Sequence, residues 1–248
     1  MDNNFNLIKE KWSMGDIDNF QSYLISLSKG NEKSQWEQRI CNTKLPCIAI
    51  PSNNVKEIIK QIAKGNFISF IDLWIWQTLT NTFIIGGLIC KIKDFDTFKS
   101  YLLKYAERAD NWATCDLLKF NINDNEQFYN LAIEFCNSRL PFARRIGISI
   151  FFKLINDNDY IDKILNFLNN FENEKEYYVN MIISWLLCDC FIKQKEKTLN
   201  FLNNNKLNNF TINKAIQKCR DSFRVTQEDK ENLLKFKRLI KKNELKKI

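Results

Sequence analysis

The segment Asn111-Trp-Ala-Thr-Cys-Asp116 sets an indole and a carboxylate four residues apart. At about 100° per residue, positions i and i+4 share one face of a helix. Asp110 or Asn111 can cap such a helix, which places the pair in its opening turns, near a helix end and accessible to a groove. A carboxylate beside an aromatic wall suits a reaction that builds positive charge on its substrate. The spacing equally describes an amphipathic helix whose Trp packs in a core while its Asp faces solvent. Spacing alone does not choose between the two.

Two further places carry chemistry-bearing types. Arg144 and Arg145 follow Pro141 in Leu140-Pro-Phe-Ala-Arg-Arg-Ile-Gly147, so two cations stand in the first turn of a helix whose N-terminus is already positive. An anion should offset that arrangement, either a phosphate or an Asp or Glu of the chain itself. Trp185 lies in the apolar run Tyr177-Tyr-Val-Asn-Met-Ile-Ile-Ser-Trp-Leu-Leu187, where a core position is the default, although Asn180, Ser184 and Asp189 leave one edge less dry. Arg220 and Arg224, four apart near the end, could touch phosphates or pair with Asp221 and Glu228. Trp74 and Trp76, two apart, cannot share a helix face, so at least one should pack inside. Tyr23 could stand on a groove wall, without local support. The chain has no His, which removes the usual hydrolase triads and most zinc and iron centres. Carboxylates, Lys, Tyr and Cys remain. A Gly-rich phosphate loop, C-x-x-C and H-E-x-x-H are all missing from the sequence.

The elements that must position these residues are helical. Apolar positions recur at spacings of three and four, and 6 Gly and 3 Pro in 248 residues are too few for a turn-dense β fold. Expected helices cover 16–28, 32–41, 54–64, 67–79, 83–92, 95–108, 112–120, 125–137, 141–155, 160–170, 176–193, 196–204, 212–223 and 227 to near the end. Turn signals at Lys64-Gly65-Asn66, Asn156-Asp157-Asn158-Asp159 and Asn203-Asn204-Asn205 separate them. Successive pairs give units of roughly 35–40 residues, the size of HEAT-like repeats, which stack into a curved α-solenoid with a concave face. No long linker divides the chain, so one domain over 1–248 is expected, ending in a lysine-rich C-terminal helix from about 227.

The net charge of +8 is uneven. From Lys230 to Ile248 there are eight Lys/Arg and two Asp/Glu, which leaves 29 basic and 27 acidic groups elsewhere. A uniformly basic body is excluded, so a polyanion site in it must come from local clustering. The tail adds nonspecific attraction, or is simply a solvated lysine-rich end. The 8 Cys lack the spacing of a disulfide framework or a metal site; Cys188 and Cys190 form a C-x-C without a second pair. Met1-Asp-Asn-Asn opens polar, without an apolar leader core, and no apolar run reaches the ~18 residues of a membrane span. Reduced, buried thiols in a cytoplasmic protein are expected.

With these places in view, the sequence resembles the AlkD-type DNA alkylation repair proteins, a HEAT-like-repeat DNA glycosylase family. The carriers are Asn111-Trp-Ala-Thr-Cys-Asp116, Phe142-Ala-Arg-Arg-Ile-Gly147, Tyr177-Tyr-Val-Asn-Met-Ile-Ile-Ser-Trp185, and Phe210-Thr-Ile-Asn-Lys-Ala-Ile-Gln-Lys-Cys-Arg220 leading to Ser222-Phe-Arg-Val225. The resemblance covers most of the chain and is strongest from about Asp110 onward. It implies an all-α solenoid gripping duplex DNA and excising cationic N3- and N7-alkylated purines without base flipping, unlike most glycosylases. It implies Asp116 as the catalytic carboxylate, Trp112 and Trp185 as the aromatic pair lining the deoxyribose, and Arg145 as a DNA-contacting arginine. Arg144, Arg220 and Arg224 join it as expected DNA contacts. The expectation is a monofunctional enzyme, a nucleoid-associated monomer whose partner is double-stranded DNA containing alkylated purines, with no cofactor, metal, nucleotide or membrane. Two positions depart from the family pattern. Cys47-Ile-Ala-Ile-Pro51 has Ala49 where arginine is usual, and Cys188 stands where many members carry a basic residue. Both remove positive charge, which keeps open a noncatalytic α-solenoid that binds damaged or branched DNA, and a protein-interaction solenoid with no DNA role.

Overall fold

The computed structural model describes residues 5–239. Every regular element among them is helical, so the fold class is all-α. The chain divides into two compact units, one reaching Asn121 and the other beginning at Ile122.

The first unit holds α1 (Ile17–Ser26), α2 (Asn31–Cys41), α3 (Ser52–Ile62), α4 (Phe67–Asp72), α5 (Leu79–Ile89), α6 (Phe95–Arg108) and α7 (Trp112–Asp116). Its centre is α5, whose Leu79, Ile84, Ile85, Leu88 and Ile89 are all buried. A helix that is apolar all round has no solvent face, and α3, α4, α6 and α7 pack around it. Trp12, Phe20 and Phe70 close one end with edge-on rings 4.9–5.6 Å apart.

The second unit holds α8 (Asn125–Cys136), α9 (Pro141–Leu154), α10 (Asn158–Leu168), α11 (Tyr177–Lys193), α12 (Lys195–Asn203), α13 (Asn209–Asp221) and α14 (Gln227–Asn232). Here α11 is the central helix, buried at Val179, Ile182, Ile183, Leu186 and Leu187. It packs against α9, α12 and α13, while α10 packs against α12. The α9–α11 and α11–α13 contacts advance by a constant step. Phe152 meets Trp185 and Trp185 meets Lys218; Arg145 meets Tyr178 and Tyr177 meets Phe210. Each partner lies 33 residues further on, so α9, α11 and α13 run parallel. That step is slightly shorter than the 35–40 residues expected from helix pairing.

Helix starts follow the capping chemistry of their first residues. Asn66, Thr78, Asp94, Asn111, Asp124, Asp157, Asn208 and Thr226 each accept an amide hydrogen of the opening turn, as N-caps do. Three expectations are corrected. The helix over 67–79 stops at Asp72, because Trp74 adopts a left-handed φ of 49° and Thr78 begins the next helix in a reciprocal box with Asn81. Trp74 and Trp76 lie in the connecting segment, both half-buried, with rings stacked 6.0 Å apart, and Trp76 packs edge-on against the buried Tyr105 at 5.2 Å. The helix over 112–120 contracts to Trp112–Asp116. The helix from 227 ends at Asn232, followed by a 3-10 turn over Leu233–Phe236 and extended backbone at Lys237. The rest of the expected lysine-rich helix lies outside the described residues. No helix among them is long and apolar enough to cross a membrane.

Candidate functional site

In the first unit, α7 carries Trp112 and Asp116 at its two ends. Five residues cannot hold a helix by themselves, so neighbours impose its position. Asn111 accepts the Thr114 N–H at 2.9 Å and donates its amide to Thr114 Oγ1 and to Asp110, at 2.8 and 2.7 Å. Asp110 accepts in turn from the Thr43 hydroxyl and the Lys44 N–H, joining α7 to the segment after α2. On the opposite side the Thr114 and Thr82 hydroxyls meet at 3.2 Å. The Tyr105 hydroxyl lies 3.1 and 3.0 Å from the carbonyls of Thr82 and Thr114, tying α6 to both α5 and α7. Burial pushes the Tyr105 phenol well above its ordinary pKa, so it remains a donor. Gly86 makes this approach possible: a Cβ there would come within 2.6 Å of the Tyr105 hydroxyl.

Trp112 donates its indole N–H to the Ile40 carbonyl, at the C-terminal end of α2, at 3.0 Å. Its one polar atom is thereby satisfied, and the ring orientation is set. Trp112 and Asp116 are both half-buried. Being four residues apart in a formed helix, they lie on one face of it. The segment after α2 is locally strained. Ala49 holds φ of 47° while its N–H donates to the Glu37 carboxylate at 3.0 Å. Burial raises the Glu37 carboxyl above the usual carboxylate range.

In the second unit the two arginines of α9 are turned inward. Arg144 makes a bidentate pair with Glu174 at 2.8 and 3.0 Å, and its remaining nitrogen donates to the carbonyls of Ser138 and Arg139. The anion called for by cations at a helix start is thus, for Arg144, a carboxylate of the chain itself. Arg145 is 4% exposed and donates to the Tyr178 carbonyl at the start of α11. Neither guanidinium is presented outward in the way a DNA contact would require. Gly147 lets α9 lie against α8, since a Cβ would meet the Ala132 carbonyl at 2.7 Å.

Trp185 departs from its default as a core residue, at 45% exposed. Phe152 buttresses one edge of its ring at 6.0 Å, and the Lys218 ammonium lies 5.2 Å from its centroid. Nothing in the sequence reading pointed to Lys218; the 33-residue step between α11 and α13 is the signal that finds it. Asp189, four residues after Trp185, repeats the Trp-x-x-x-Asp spacing of α7. Its carboxylate is held by Arg224 at 2.6 Å. Arg220 and Arg224 do not share a helix, because α13 ends at Asp221. Arg220 lines a groove of about 190 Å³ with Gln217, Asp221, Gln227, Lys230 and Glu231. It lies roughly 200° around α13 from Lys218. Cys188 is buried, its thiol within hydrogen-bonding reach of the free Cys219 thiol, which turns position 188 into the α11–α13 packing. All eight cysteines are free thiols, and burial pushes Cys41 up to about 11 and Cys47 up to about 12, far from nucleophilic thiolates. Among the described residues no cluster of three or more His, Cys, Asp or Glu could hold a metal ion.

The first unit thus offers an oriented indole with a neighbouring carboxylate. The second offers an exposed indole under a lysine, with an ion-paired carboxylate one turn on. Residues 20–219 match the family model for the DNA alkylation repair enzyme, a span that includes α7, α9, α11 and nearly all of α13. The chain belongs to the DNA alkylation repair enzyme family. Membership carries a role in the repair of alkylated DNA. No curated protein matches the chain.

Proposed function

We propose that this member of the family is a monofunctional DNA glycosylase that hydrolyses the N-glycosidic bond of cationic N3- and N7-alkylated purines in double-stranded DNA, without base flipping. The observation that carries the reading is the Trp112–Asp116 pair, half-buried on a helix too short to stand alone and held from both sides. An alkylated purine already bears positive charge, so its glycosidic bond breaks toward a neutral leaving group and no general acid is needed. As that bond lengthens, charge passes to the deoxyribose, and the Asp116 carboxylate stabilises the oxocarbenium-like state. The same carboxylate orients or deprotonates the attacking water. The indole face of Trp112 packs on the sugar and favours its developing charge. Water as nucleophile requires no Schiff-base lysine. Arg144 and Arg145 act by fixing α9 against Glu174 and the start of α11.

The test is release of 7-methylguanine or 3-methyladenine from methylated duplex by wild type and by Asp116→Asn. Release above spontaneous depurination, lost in the variant, supports the reading; full activity in the variant removes Asp116 from the mechanism. A second reading, a noncatalytic binder of damaged or branched DNA, draws on the inward-turned Arg144 and Arg145 and on Ala49. It is the outcome if wild type binds duplex and releases no base.

A further inference from the structure

Most described ion pairs neutralise a cation within the chain: Lys9 on Asp16, Lys195 on Asp229, Lys197 on Asp162, Arg144 on Glu174 and Arg224 on Asp189. Two lysines of α13 are placed differently. Lys218 lies over the Trp185 ring at 5.2 Å, and Lys214, one turn earlier, lies over the Phe210 ring at 5.6 Å. Neither makes an ion pair with a described carboxylate. Of the acids nearby, Asp221 accepts from Gln217 and Asp189 is taken by Arg224. The rings continue outward, for Tyr177 packs on Phe210 at 5.9 Å and is 42% exposed.

We propose that the α11–α13 surface of the second unit is a track for the DNA sugar–phosphate backbone, with Lys214 and Lys218 as its phosphate contacts. The proposal rests on the DNA-binding reading above and names the residues that carry it. An ammonium over a ring keeps its charge and its three donors, so it remains available to an outside anion. Packing of the lysine stem on the ring reduces the side-chain entropy lost on binding. Positions 214 and 218 share a face about 6 Å apart along the helix; of the two rings beneath them Trp185 is exposed and Phe210 is buried. A single small anion would use one such position. A polymer of alternating phosphate and deoxyribose uses both, phosphates on the two ammonium groups and a sugar against the exposed Trp185 indole.

The experiment is equilibrium binding of an unmodified duplex at several salt concentrations, using wild type, Lys214→Gln, Lys218→Gln, the double variant, and Lys163→Gln. Lys163 lies over the Tyr160 ring at 4.8 Å on α10 and controls for loss of a lysine of the same kind. Each α13 substitution is expected to reduce the slope of log affinity against log salt by up to about 0.9. The double variant should lose nearly twice that, Lys218→Arg should restore the wild-type slope, and Lys163→Gln should keep it. Salt-dependent wild-type binding with an unchanged slope in the double variant overturns the track and leaves the DNA reading standing. So does an equal loss in Lys163→Gln. Absence of duplex binding by wild type overturns the DNA reading itself, and the track with it.

Discussion

At the scale of single residues, the structure separates side chains that sequence alone treats alike. Trp112 and Trp185 both precede an Asp by four positions; Asp189 follows Trp185 within the long helix α11 and is held by Arg224, and Asp116 ends the short helix α7. Loss of one preorganised charge opposite a developing cation costs on the order of 10²-fold or more. Asp116→Asn should therefore lower base release by at least that factor with little change in duplex affinity, read as single-turnover rate against binding. Glu37 supplies a pH-dependent prediction. Burial raises its folded-state pKa, so the folded protein holds the proton more tightly than the unfolded chain does. The associated stability is present below the ordinary glutamate pKa of about 4.3 and is lost as pH rises through the folded value. Glu37→Gln lacks this loss and can still accept the Ala49 N–H through its amide oxygen. Its stability relative to wild type should thus grow between pH 4 and 7 in denaturant titrations; a constant difference across that range would refute the assignment.

At the scale of elements, α7 exists because α5, α6 and the segment after α2 hold it. The contact that decides this is Gly86 against Tyr105. Gly86→Ala drives a methyl into the Tyr105 hydroxyl and should destabilise the fold by about 1–3 kcal/mol, as overpacking does. Tyr105→Phe deletes the clashing oxygen together with its bonds to Thr82 and Thr114. The double variant should consequently be less destabilised than the sum of the two single changes, while additive effects would show that the clash is relieved elsewhere. The Asn111 cap of α7 was legible in the sequence, as was the turn at Asn156-Asp157-Asn158-Asp159. The Thr78-x-x-Asn81 box was not recognised, and the missed break at Trp74 followed from it. The apolar run from Phe67 onward reads as one helix until that second start is seen.

At the scale of the whole molecule, charge is the property most directly carried by composition. Residues 240–248 contain four Lys and one Glu. Truncation after Leu239 should weaken duplex affinity and lower its salt slope while leaving single-turnover release at saturating protein within about twofold. Loss of turnover in the truncated chain would instead place the tail in the catalytic unit. The all-α class, the order of helices and the family could be determined from the sequence alone. Helical periodicity and N-caps are local, and the family motifs keep their order along the chain. The fate of each charged or aromatic side chain could not, because it depends on neighbours distant in sequence. Glu174 lies 30 residues from the Arg144 it neutralises, Ile40 lies 72 residues from the indole it orients, and Lys218 lies 33 residues from the ring it covers. Sequence spacing named Trp112 and Asp116; only tertiary packing set the indole N–H on a carbonyl, turned Arg144 and Arg145 inward, and left Trp185 exposed beneath a lysine.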